Sequence, residues 1–169
     1  KGPHGQVIGD SFPPEQVVAA AQRTGCASIA YTYSEPTIFF EYAYDVSVLA
    51  HEAGLQNVFV TNGYQTPEAI ALMKGVIDAA NVDLKSFRDS YYRKLCGARL
   101  QPVLDAIGLM HEAGIWVEVT TLVLPGQNDS PDELRDIAHF IASISADMPW
   151  HISRFHPDYK MLHVEPTPR

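Results

Sequence analysis

Short apolar, β-branched runs alternate with amphipathic stretches along this chain. Ser28-Ile29-Ala30-Tyr31-Thr32-Tyr33, Asn57-Val58-Phe59-Val60-Thr61 and Ala80-Asn81-Val82-Asp83-Leu84-Lys85 read as strands. Trp116 through Leu124 reads as a fourth, and Trp150 through Phe155 as a fifth and weakest. Between them Leu100, Val103, Leu104, Ile107 and Met110 recur at helical spacing, as do Leu134, Ile137, Ala138, Ile141 and Ile144. Ser130-Pro131-Asp132-Glu133 predicts a capping box with Pro in the first helical position, and Thr66-Pro67-Glu68 a similar start. Thr24-Gly25-Cys26, Ala53-Gly54-Leu55 and Ala113-Gly114-Ile115 repeat one grammar, a helical run stopped by Gly before an apolar strand. The glycines lie 29 and then 60 residues apart, close to one and two βαβ steps of about 30 residues.

Strands alternating with helices predict an α/β fold, a parallel sheet with helices packed outside it. Five strands exceed a lone βαβ unit and fall short of an eight-stranded barrel. An incomplete barrel or an open doubly wound sheet remains. No GxGxxG follows the first strand, which disfavours a dinucleotide site. The 169 residues, 46% hydrophobic and 19% charged, suit one domain over 1–169 with a real core. Twelve Lys plus Arg against 20 Asp plus Glu leave a formal charge of −8, poor for binding nucleic acid or an anionic membrane. No transmembrane run or signal core appears, so a cytoplasmic location is expected. The missing Met and the ending Pro166-Thr167-Pro168-Arg169 suggest that both ends are cuts in a longer chain.

In parallel α/β folds the chemistry sits at the carboxyl ends of strands. Here those ends carry Ser34 and Glu35, then Thr61-Asn62-Gly63-Tyr64, then Asp83 and Lys85, then Pro125-Gly126-Gln127-Asn128-Asp129, then His156, Asp158, Tyr159 and Lys160. Asp83 and Lys85, two apart on a strand, point to one face with Leu84 on the other. They form either an inward pair filling a barrel layer or an acid and amine aimed at a ligand. Glu35 either caps the helix beginning near Thr37 or faces a ligand. His156 either caps the turn before Pro157 or reaches the site. His151, His156, Asp158 and His163 follow no familiar metal spacing, so no zinc site is expected. Lys1, Gly2 and Gly5 read as a loop. Cys26, at a strand start, reads as a small buried hydrophobe. Cys96 has cationic neighbours Arg93 and Lys94 able to lower its pKa, although a structural role is the simpler reading.

Tyr31-Thr32-Tyr33-Ser34-Glu35-Pro36-Thr37, Val60-Thr61-Asn62-Gly63-Tyr64, Asn81-Val82-Asp83-Leu84-Lys85, Val123-Leu124-Pro125-Gly126 and Arg154-Phe155-His156-Pro157-Asp158-Tyr159-Lys160 follow one another at successive strand ends. In this order they resemble the radical S-adenosylmethionine enzymes, close to the pyruvate formate-lyase activating enzyme group and to the radical enzyme of the AmmeMemoRadiSam system. The resemblance covers nearly the whole chain. It implies a partial (βα)6 TIM-like barrel, with the first strand and cluster loop missing from this chain. It also implies S-adenosylmethionine and a 4Fe-4S cluster as cofactors, an electron donor and, for activating enzymes, a protein substrate. One electron cleaves the cofactor to methionine and a 5′-deoxyadenosyl radical that abstracts hydrogen. By resemblance, Glu35 matches the acidic residue of the family's GGE turn, which accepts hydrogen bonds from the cofactor's amino group; here Tyr33-Ser34 replaces Gly-Gly. Thr61 and Asn62 match the Thr-Asn-Gly turn. Asp83 and Lys85 match the Asp-Leu-Lys of activating enzymes, and His156 matches a histidine near the cofactor.

The family's CxxxCxxC loop is not found in this chain, whose two cysteines lie 70 positions apart. A loop preceding Lys1 in a longer protein is the simplest account, leaving this chain inactive alone; a cluster-free relative is the other. Two further functions compete. A barrel aldolase or decarboxylase would use Lys85 for a Schiff base or proton transfer, tuned by Asp83, with Asp89 giving DxKxxxD rather than the DxKxxD of orotidine monophosphate decarboxylases. A non-catalytic domain would only bind a partner.

Overall fold

The computed structural model describes residues 11–168. The loop expected at Lys1, Gly2 and Gly5 lies outside them. The order is α1 (Pro14–Arg23), β1 (Ser28–Tyr31), α2 (Phe40–Glu52), β2 (Gln56–Thr61), α3 (Pro67–Met73) and β3 (Ala79–Asp83). Then come α4 (Asp89–Tyr91), α5 (Leu100–Glu112), β4 (Trp116–Val123), α6 (Pro131–Ile144) and β5 (Trp150–Arg154). The five strands are all parallel and lie side by side in chain order. That order, with a helix between each pair of strands, is the wall of a partial TIM-like barrel.

The three helix–Gly–strand segments are Schellman stops. Cys26, Leu55 and Ile115 donate back to the carbonyls of Ala21, Ala50 and Met110 at 3.0, 2.9 and 3.1 Å. Gly25, Gly54 and Gly114 take φ of 70°, 76° and 85°, where a Cβ would clash with the backbone. Each stop drops the chain straight into the next strand, which is why the motif repeats.

One face of the sheet packs on the helices. Phe59, Val82 and Val119 from the strands meet Val46, Ile107 and Ile137 from the helices, all fully buried. Burial stabilises each such side chain by ~1.5–3 kcal/mol. Asn57 is also fully buried there. It accepts from the Tyr31 hydroxyl (3.0 Å) and donates to the carbonyls of Ser47 and Val76 (2.9 and 3.0 Å), tying β1 and β2 to α2. Burial pushes the Tyr31 phenol up to about 12, so it remains a donor. The opposite face is open, with Trp116 and Leu122 exposed among polar groups. Thr120 donates to Asn81 (2.9 Å), while the Trp116 indole (3.0 Å) and His151 (2.7 Å) converge on Glu118.

Several local expectations are corrected. β1 stops at Tyr31, because Tyr33 turns into the left-handed region at φ 66°. β3 stops at Asp83, so Lys85 lies beyond the ladder. Ser130 caps α6 by accepting from the Glu133 N–H at 3.3 Å, with Pro131 first in the helix. Glu133 does not return the bond to complete a box. It is buried, and its carboxylate accepts from the Ser86 hydroxyl and, at 2.8 Å, from the Phe87 N–H, pinning the loop after β3. Cys26 is exposed rather than buried, since the sheet-edge strand β1 leaves its start uncovered.

Candidate functional site

The carboxyl ends of β1, β2 and β3 carry Glu35, Thr61, Asn62, Asp83 and Lys85 to the wall of one cavity of about 330 Å³. Glu35 is the hub. Its Oε1 accepts from the Thr37 N–H (3.3 Å), the Thr37 hydroxyl (2.8 Å) and the Thr61 hydroxyl (2.6 Å). Its Oε2 accepts the Asn62 N–H at 2.8 Å. Glu35 therefore caps the 3₁₀ turn Pro36–Phe39 that leads into α2, and also clamps the β2 turn. Oε1 is saturated, whereas Oε2 keeps acceptor capacity for one more donor. Gln65 donates to the Thr37 hydroxyl at 3.1 Å, so each hydroxyl in the network has an assigned direction.

The β2 turn is shaped by its own side chains. Gly63 donates to the Thr61 hydroxyl (3.2 Å) and Tyr64 to the Asn62 side-chain carbonyl (2.8 Å). Gly63 has φ 72°, and a Cβ there would lie 2.7 Å from Val82 Cγ1. Only Gly lets this turn close onto β3.

Asp83 and Lys85 do point the same way, with Leu84 fully buried between them. Lys85 Nζ lies 2.8 Å from Asp83 Oδ2, and both side chains are two-fifths exposed. The pair therefore does not fill a buried layer; it is a rim ion pair, worth ~0–1 kcal/mol to stability. The Lys85 backbone is held at both ends. Its N–H donates to the Tyr92 hydroxyl at 3.0 Å, and its carbonyl accepts from Asn128 Nδ2 at 2.7 Å. Burial raises the Tyr92 phenol far above its ordinary value, so the hydroxyl stays neutral.

A second cavity of about 610 Å³ adjoins the first, sharing Asn62 and Lys85 with it. A π-helical turn, Tyr92–Cys96, and its left-handed stop Gly97 form one side. Cys96 lines it. Burial moves its thiol pKa up, with Lys85 opposing, and the neighbours Arg93 and Lys94 do not lower it. In sequence only Cys96 and its neighbours Arg93 and Lys94 marked this turn. Asn128, whose side chain also accepts from the Leu124 N–H and donates to the Leu122 carbonyl, was visible only as part of a loop.

His156 is exposed beyond β5 and lines neither cavity. Its assignment to the site has no geometric support. His151 is turned to Glu118 at 2.7 Å on the open sheet face. Among the described residues no three His, Cys, Asp or Glu side chains converge as a metal site.

Residues 4–141 match the Radical SAM superfamily. An uncharacterized protein of Methanocaldococcus jannaschii is 47% identical over 156 residues, covering 92% of this chain and 46% of that protein. The chain spans less than half the length of the curated relatives it matches. A domain of pyruvate-formate lyase-activating enzyme from Bacteroides vulgatus superposes with TM-score 0.67 at 17% identity, covering 84% of this chain and 86% of that one. SuiB of Streptococcus suis, solved with S-adenosylmethionine bound, superposes with TM-score 0.75 at 12% identity, covering 96% and 38%. These two show the shared fold. With the superfamily match spanning most of its length, the chain belongs to the radical SAM superfamily.

Proposed function

We propose that residues 1–169 form one radical SAM core domain of the AmmeMemoRadiSam type, activating-enzyme-like, whose cavity at Glu35 binds S-adenosylmethionine. The observation carrying this is the convergence of Glu35, Thr61, Asn62, Asp83 and Lys85 on one cavity, in a chain of this superfamily. The donor set suits the ligand. Its ammonium matches the open acceptor on Glu35 Oε2, its sulfonium matches a cavity with two carboxylates, and its own carboxylate matches the Lys85 amine. Thr61 and Asn62 act through Glu35, holding its carboxylate in place.

The cluster does not fit this chain. A 4Fe-4S cluster takes thiolate ligands. The two cysteines stand at opposite ends of the strands, Cys26 before β1 and Cys96 beyond β3. By this proposal the whole protein would take its cluster ligands from outside these residues, and the cluster, given an electron by a donor, would supply the reductive cleavage of the bound cofactor. A protein substrate, as for activating enzymes, is part of the same proposal. A formal charge of −8 argues against nucleic acid. Two exposed free thiols suit a reducing compartment, the cytoplasm. No helix among the described residues is long and apolar enough to cross a membrane.

The test is calorimetric titration of the protein with S-adenosylmethionine. One site per chain is expected, weakened in Lys85→Met, with a thermal midpoint near that of the parent because the ion pair is at the rim. Unchanged affinity in Lys85→Met would remove the pair from the cofactor site.

A further inference from the structure

Resting on that reading of the adjoining cleft, we propose that the cavity of about 610 Å³ is the substrate pocket and that it takes a neutral aromatic group. Its position supports this. It opens on the cofactor cavity through Asn62 and Lys85, so a group seated in it lies against whatever occupies the other side. Its size is that of a pocket for a small molecule or one large side chain.

The lining sets the chemistry. No carboxylate lines it, and its one charged group is the Lys85 amine, which repels a cation. That amine is paired with Asp83 at 2.8 Å and, on the reading above, takes the carboxylate of the cofactor, so it is not free for an anion seated in this cavity. The remaining wall is neutral and includes Tyr64, Tyr91, Leu95, Cys96 and Met161. Burial raises the Tyr91 phenol and the Cys96 thiol, so both stay uncharged at neutral pH. Tyrosine rings and soft sulfur atoms pack favourably on an aromatic ring and its edges. At the edge shared with the cofactor cavity the Asn62 amide can donate to a ring substituent or backbone carbonyl.

The probe is p-cresol, followed by saturation-transfer NMR on the intact protein, with acetate and methylamine as charged controls. Binding of p-cresol alone is expected. Ala98→Phe, which fills the cavity, and Met161→Glu, which charges its wall on an exposed turn, should each weaken p-cresol about tenfold. S-adenosylmethionine affinity, measured in parallel by calorimetry, should stay within about twofold in both. Equal p-cresol binding by parent and both variants would overturn the assignment. Loss of S-adenosylmethionine affinity in both would also overturn it, since the cavity would then belong to the cofactor. Absence of S-adenosylmethionine binding in the parent would defeat the underlying reading instead, and is visible independently of the p-cresol signal.

Discussion

The side-chain amide of Asn128 donates to the backbone carbonyl of Lys85 at 2.7 Å, joining the loop after β4 to the end of β3. Asn128 is fully buried, and its two other side-chain bonds go to the backbone of Leu122 and Leu124. Thr121 adds a parallel tie, donating to the Leu84 carbonyl at 2.9 Å and accepting from the Trp150 indole at 3.0 Å. Lys85 lies beyond the sheet's ladder and owes its position to these side chains.

Asn128→Asp keeps the shape and replaces the two donated bonds with a carboxylate facing carbonyls. A loss of about 3 kcal/mol is expected in a urea titration. Asn128→Ser, which keeps a hydroxyl donor, should lose less. Equal midpoints for Asn128→Asp and the parent would show that the amide is not holding the two strand ends.

Gly63→Ala should destabilise by ~1–3 kcal/mol, through strain at φ 72° and the 2.7 Å approach to Val82 Cγ1. The two causes separate in the double variant. Val82→Ala removes the clashing methyl, so Gly63→Ala should cost less in that background, while the φ strain persists. Identical costs in both backgrounds would eliminate the clash.

Tyr33 sits where the resembled family has Gly, at φ 66° with its side chain fully exposed. Its ring buries nothing that compensates for the left-handed backbone. Tyr33→Gly should therefore not destabilise, and a gain of about 1 kcal/mol is expected by thermal melt. A clear loss would reveal a role for the ring.

Glu118 is held below the ordinary carboxylate pKa, first by the Trp116 indole and then by His151. A folded-state pKa below the unfolded one means stability present above the unfolded pKa and lost as pH falls through the folded value. Glu118→Gln should therefore be less stable than the parent near neutrality, by ~0.5 kcal/mol for so exposed a pair. The two curves should converge as pH falls below 4.5, the ordinary glutamate value. A constant gap from neutral pH down through that range would contradict the assignment.

Periodicity and Gly punctuation made the sheet legible. Leu100 to Met110 and the Gly25, Gly54 and Gly114 stops are local patterns with local causes. Strand ends also placed Glu35, Thr61, Asn62 and Asp83 on one rim, and the structure brings them round one cavity. What stayed hidden depends on tertiary partners. Asn57 and Asn128 look like ordinary polar residues until their buried backbone partners are known. Glu133 matched a capping box locally, yet Ser86 and Phe87, far away in sequence, claim its carboxylate. Cys96 has two basic neighbours in sequence, yet the cation that acts on it is Lys85. His156 follows β5, but it is exposed and lines neither cavity, while Met161 further along returns to the larger one.

The central claim is that Glu35 receives the ammonium of S-adenosylmethionine while also clamping the β2 turn. A chemical double-mutant cycle tests it most directly: calorimetric affinities of S-adenosylmethionine and its deamino analogue, each for the parent and for Glu35→Gln. Glu35→Gln sets an amide NH₂ near the Asn62 N–H, so some stability is lost in any case, ~1–2 kcal/mol. The cycle cancels that shared cost and isolates the contact. The account predicts a coupling of ~1.5–3 kcal/mol, with the deamino analogue nearly indifferent to the substitution. A coupling of about zero, with both ligands weakened equally, would leave Glu35 as a structural clamp alone and contradict the proposed site.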